Sequence, residues 1–214
     1  MSRTKLFVMV IVFLGPQLLR AADGPTFKTV ILPDSIRFVQ AFSEDKKACT
    51  MIFDNFVVGT EIGLGSLPSV QTKAFTYVTQ PESDKDVEVV QHIRGFVSTQ
   101  GSGSAALVIH SAGKTTLVDL SKAIAAAKVG DKPEHEALRK VARQKASENG
   151  LNVDGRPAKS DDFFVEVKRS VAAGKPLQTT VGVLVDRLPG DDGSGATLHV
   201  DTIDFEIFPV KDGK

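Results

Sequence analysis

The sequence predicts a mainly β protein, an antiparallel sandwich of the jelly-roll kind carrying one helical insertion on its surface. Two observations predict it. Nine segments alternate apolar and polar residues between clusters of Gly, Pro, Asp and Ser, the pattern of many short strands in a sandwich or barrel. One stretch, 121–150, drops that alternation for Ala-rich, charged sequence with helical spacing.

The chain opens on a different kind of sequence. Arg3 and Lys5 precede an apolar run from Leu6 to Leu14, which ends at Gly15 and Pro16. This is the layout of an export signal, and the run is about half the ~20 residues needed to cross a bilayer. Residues 1–22 are therefore expected to be cleaved near Asp23, placing the protein in the periplasm or outside the cell with no stable membrane insertion. Residues 23–214 then form one domain. The single cysteine, Cys49, excludes an internal disulfide and lies too far downstream to carry a lipid anchor.

Charge narrows the partners. Loss of Arg3, Lys5 and Arg20 from 26 cations leaves 23 against 26 acids, so the mature chain is mildly acidic. Nucleic acid and anionic membranes recruit clustered basic surface, and neither is an expected partner.

The strands are expected around 35–42, 48–58, 74–80, 87–98, 104–111, 114–120, 162–172, 177–187 and 197–208. Phe163, Val165 and Val167 point one way while Phe164, Glu166 and Lys168 point the other, and Val181, Val183 and Val185 share a face. In 48–58 both parities are apolar, with Cys49, Met51 and Phe53 opposed by Ile52 and Phe56, which suits a strand covered on both sides. Cys49 is then a buried small hydrophobe.

Within the insertion, Ala137, Leu138, Val141, Ala142 and Ala146 recur at helical spacing, Pro133 suits a first turn and Gly150 a stop. The expected helix lies on the sheets without a core of its own.

The last strand, TLHVDTIDFEIF, has apolar residues at even positions (Leu198, Val200) and then at odd ones (Ile203, Phe205, Ile207). A slip of one residue would expose half the apolar set in a straight strand, so a β-bulge near Asp201 or Thr202 is expected. His199, Asp201, Asp204 and Glu206 then all face away from the core. They are read as a solvated strand face, with a cation such as Lys or Arg on the neighbouring strand, or alternatively as a binding site.

Other motifs point to turns. HSAGKTT (110–116) contains Gly-Lys-Thr but has Val108 where a phosphate loop needs glycine, so a hairpin turn at Ala112 and Gly113 is expected. GLNVDGRPAKSD (150–161) places Asn152, Asp154, Gly155 and Asp161 at calcium-loop positions but has Gly150 at the first, and a helix stop with a turn accounts for it. His92, His110, His135 and His199 form no close-spaced ligand set, and GxSxG is missing. No metal, cofactor or catalytic residue is expected. With no Trp, one Tyr and 13 Phe, sugar recognition on a flat aromatic platform is disfavoured, whereas a polar groove remains open to glycans.

Phe53, Asp54 and Phe56, then Arg94, Gly95, Phe96 and Val97, and finally Asp201, Thr202, Ile203 and Asp204 resemble the motifs of an uncharacterised family of small secreted β-rich domains found in fungi and bacteria. The resemblance implies export and a β-rich fold. The chain departs from that family in lacking paired cysteines and in carrying the 121–150 insertion.

The expected function is that of an exported, non-catalytic binding or structural protein whose partner is a protein or envelope component. The alternative is an envelope hydrolase using outward strand carboxylates, since neighbours two apart on a strand face lie about 7 Å from each other, within glycosidase range.

Overall fold

The structure is a computed structural model and describes residues 24–32, 36–60, 69–120, 133–152, 160–188 and 193–210. The export segment, the first part of the insertion and most of the calcium-loop-like stretch lie outside the described residues.

Among the described residues ten strands run in chain order: β1 (Thr26–Ile31), β2 (Phe38–Phe42), β3 (Ala48–Gly59), β4 (Ser69–Glu82), β5 (Val87–Gln100), β6 (Ser104–Ser111) and β7 (Lys114–Asp119), then β8 (Asp161–Val171), β9 (Leu177–Arg187) and β10 (Gly195–Pro209). Among the described residues the helix α1 (Pro133–Glu148) lies between β7 and β8. The first sheet has the order β1-β4-β9-β6-β7 and the second β2-β3-β10-β5-β8. All pairings are antiparallel. From β3 to β10 successive strands cross between the sheets except at the β6–β7 hairpin, which is jelly-roll order, with β1 and β2 added at one edge of each sheet.

The inner faces meet in one apolar core. Phenylalanine fills it: Phe75 lies 5.0 Å from Phe53 and 4.7 Å from Phe56, and Phe205 lies 5.4 Å from Tyr77, centroid to centroid, in tilted or edge-on contacts. The high Phe content is thus spent on the interior. A polar chain crosses the same core. The Tyr77 hydroxyl donates to Gln91 Oε1 (2.7 Å), Gln91 Nε2 donates to Thr179 Oγ1 (3.1 Å), and Thr179 meets Ser111 at 2.9 Å. Burial pushes the Tyr77 phenol far above its ordinary value, so it stays a neutral donor.

Several expectations hold in detail. The β6–β7 hairpin turns at Ala112 and Gly113, both at positive φ (50° and 71°), as a two-residue turn twisted to match its strands requires. Phe163, Val165 and Val167 are buried, and Cys49 is fully enclosed. The register of β10 slips between Val200 and Thr202 against both neighbours, so the bulge sits where the hydrophobic period changes. Gly95, paired with Val200, serves that bulge: a Cβ there would lie 1.9 Å from the His199 carbonyl oxygen and 2.8 Å from the Phe163 ring.

Two details differ from the sequence reading. A further strand, β1, precedes the first expected one; its six residues are too few for a clear period. The buried stripe of α1 consists of His135, Arg139, Ala142 and Ala146, while Ala137 and Val141 face solvent. The helix lies on the outer face of the second sheet, where Ala142 packs on Ala41 and Ile52. That face presents acids as well as apolar groups, so the helix turns basic side chains toward it. After Glu148 the chain closes with Leu151 N–H donating to Ala146 O (2.9 Å) and Gly150 N–H to Ser147 O (3.0 Å), Gly150 taking φ +67°.

Candidate functional site

The four residues singled out in the last strand lie on β10, the central strand of the second sheet, and face away from the core as the bulge demands. They are not a solvated face. His199 is 2% exposed, Asp201 5%, Asp204 0% and Glu206 8%. For Asp201, Asp204 and Glu206 the reason is α1 above them, with Arg94 of β5 beside Asp204, while His199 lies against Phe96 of β5.

Asp204 is the centre of the arrangement. Its Oδ1 accepts from Thr50 Oγ1 (2.7 Å), and its Oδ2 accepts from Arg139 of α1 (2.7 Å) and from Arg94 Nε of β5 (3.1 Å). His135 Nδ1 stands 3.8 Å from the same oxygen. A carboxylate fully removed from water is tolerable when its lone pairs are engaged by charged donors, and here both oxygens are. The expected cation on a neighbouring strand is Arg94.

Glu206 and Asp201 flank this centre. Glu206 Oε1 lies 2.7 Å from His135 Nε2, within ion-pair range but off the hydrogen-bonding direction, and pairs in charge when the imidazole is protonated. Asp201 Oδ2 accepts from Thr202 Oγ1 (2.7 Å) and from Arg143 Nη2 (3.2 Å), whereas its Oδ1 is enclosed with no partner. His199 lies with its ring 5.8 Å from Phe96, and neither of its enclosed nitrogens has a partner. Burial holds the His199 imidazole below its ordinary value of 6.5, against an opposing pull from Asp201.

A second histidine borders the centre. The His92 ring lies 5.3 Å from that of His135, and its Nε2 meets Glu166 Oε2 at 3.1 Å. Burial lowers its affinity for a proton, the Glu166 contact raises it, and His135 lowers it again, with a net shift downward. Among the described residues no group of three or more His, Cys, Asp or Glu side chains is placed to hold a metal ion.

Beside Asp201 a cavity of about 310 Å³ opens between α1 and strands β5, β8 and β10. Arg94, Arg139, Arg143, Asp162, Phe164 and Asp201 are among its walls. The Arg94 guanidinium stacks 4.5 Å from the centre of the Phe164 ring, and the Arg143 side chain is half exposed. The cavity therefore offers several N–H donors, a carboxylate and part of an aromatic surface within one small volume.

The sequence reading names the four β10 residues but not their partners on α1, because it takes Ala137, Leu138, Val141, Ala142 and Ala146 as the helix stripe and assigns no role to His135, Arg139 or Arg143. The signal was present: His135, Arg139, Ala142 and Ala146 follow helical spacing as well as the apolar set does, and an acidic strand face gives such a stripe something to bury against.

No helix among the described residues is long and apolar enough to cross a membrane. No family model and no curated protein matches the chain, so the resemblance to small secreted β-rich domains has no family model behind it, and the β-rich fold is what stands. Among solved structures, the carbohydrate-binding module TmCBM61, solved with β-1,4-galactotriose, aligns over 85% of this chain and 87% of its own at 12% identity, with a TM-score of 0.26. A likeness of that size carries no argument about function.

Proposed function

We propose that this is an exported β-sandwich that binds a component of the cell envelope or extracellular space without transforming it. The observation carrying the reading is the cavity at the seam of α1 with the second sheet, where Arg94, Arg143 and Asp201 present directional polar groups on a rigid scaffold. Hydrolysis by paired strand carboxylates has lost its geometric support: Asp204 is wholly enclosed, with both oxygens engaged by Thr50, Arg94 and Arg139. A group so held neither reaches a substrate nor trades a proton with one. The layout of residues 1–22 supports export.

The test is capture from native envelope fractions by the immobilised mature chain, run beside a panel of glycoside, ester and peptide substrates. Retention of an envelope component without product release is expected. Turnover of any substrate would overturn the non-catalytic part of the reading, and absence of any retained component would overturn the binding part.

A further inference from the structure

We propose that the cavity beside the β10 bulge takes a neutral, hydroxyl-rich ligand of the saccharide class, with Asp201 accepting from ligand hydroxyls and Arg143 donating to them. The inference rests on the binding reading above and names the ligand chemistry of the same cavity. Its starting point is an unfinished polar site. Asp201 is 95% buried by its 5% exposure, yet only one of its two carboxylate oxygens is engaged. Buried polar groups are seldom left so, and since Asp201 lines the cavity, its incompletely engaged carboxylate marks a place that an occupant completes.

The surroundings select the occupant. Three guanidinium groups, Arg94, Arg139 and Arg143, oppose a cation in the cavity, and two carboxylates, Asp201 and the rim group Asp162, oppose an anion. Arg139 and Arg94 are already committed to Asp204, which leaves the half-exposed Arg143 as the donor best placed to share. An apolar ligand would strand all of these groups. A hydroxyl is acceptor and donor at once, so it accepts from Arg143 while donating to the Asp201 carboxylate. Adjacent hydroxyls on one ring repeat that pairing. The ligand would therefore be read by directional hydrogen bonds in a polar groove and not by a flat aromatic platform.

The experiment is isothermal titration of the mature protein with neutral tetrasaccharides from glucans, mannans, galactans and chitin, with oligouronates as the anionic arm. Asp201→Asn and Arg143→Gln are the site variants, each checked for native unfolding midpoint, and Leu117→Ser on the opposite sheet is the control. Saturable binding of at least one neutral oligosaccharide is expected, weakened at least tenfold in both site variants and unchanged in the control. Equal affinity in wild type and both site variants would overturn the assignment to this cavity. Preference for the uronates would overturn the neutral class. No heat with any saccharide, while an envelope component is still retained, would overturn this inference and leave the binding reading in place. A crystal structure with a single water satisfying Asp201 Oδ1, together with no heat, would show that the occupant is structural water only and would likewise overturn it.

Discussion

Arg139 and Asp204 meet at 2.7 Å beneath α1, with the carboxylate wholly enclosed and the guanidinium side chain 10% exposed. One contact thereby joins the helix to the centre of the second sheet. Removing one partner of such a pair leaves the other charged and buried, which costs about 3–5 kcal/mol. Asp204→Asn keeps the shape and deletes the charge shared by Arg139 and Arg94, and a loss of that size is expected in urea unfolding. Amide exchange should quicken along α1 more than along β9. A stability change below about 1 kcal/mol would contradict the role given to Asp204.

Gly95→Ala should be among the most damaging single-methyl additions available. The added carbon would fall 1.9 Å from the His199 carbonyl, a backbone atom that can move only if the bulge moves. Overpacking of this kind costs about 1–3 kcal/mol, and a value at or above the top of that range is expected from chemical denaturation.

Acid should weaken the fold before it reaches the carboxylate range. Burial lowers the folded-state proton affinity of both His92 and His199 from the ordinary 6.5. The unfolded chain therefore takes up protons first as pH falls through 6.5, and stability present above that value is lost on the way down to the folded-state values. Urea midpoints at pH 7.5, 6.5 and 5.5 should decline in order. In His199→Gln the decline should be shallower, and a flat wild-type profile would contradict the assignment.

Cys49 is fully enclosed, and burial followed by the nearby Asp204 charge pushes its thiol far above the usual range. Labelling of the native protein by a thiol reagent should be slow and should accelerate only with unfolding. Cys49→Ser should lower stability by about 1–3 kcal/mol through burial of a hydroxyl, with ligand binding intact. Fast native labelling would place the residue at the surface instead.

Tyr77→Phe removes the donor to Gln91 Oε1 in the middle of the core. Leaving that acceptor without a partner should cost about 1–3 kcal/mol, measured by thermal or urea unfolding. Pairing it with Gln91→Leu should recover part of the loss, since the unsatisfied group is then gone.

Period-two alternation made the strands legible because one face of each is buried against the other sheet; β6 and β9 fall at the expected positions, 104–111 and 177–187. The bulge was legible from the change of parity between Val200 and Ile203, since only a shifted register keeps both apolar sets inside. What the strand could not disclose was the cover over its outer side. Asp204 and Glu206 on an alternating strand look like residues in water, and they are enclosed because α1, more than fifty residues earlier, brings His135 and Arg139 onto them, with Arg94 of β5 beside Asp204. Alternation along one segment reports which side faces the core, and it carries no information on what a distant segment lays over the other side.

The jelly-roll order places β10 between β3 and β5, so the strand that follows the other nine in the chain is the one on which the second sheet closes. Until it inserts, β3 and β5 have no neighbour to share, and α1 has been made without the carboxylates that fix its seat. Assembly of this half of the molecule is therefore gated by long-range closure and not by helix formation, which favours slow folding with little early protection in α1. Pulse-labelled exchange during refolding would reveal that order as α1 amides becoming protected together with those of β10, and a shortened chain ending before β10 would keep its helix undocked.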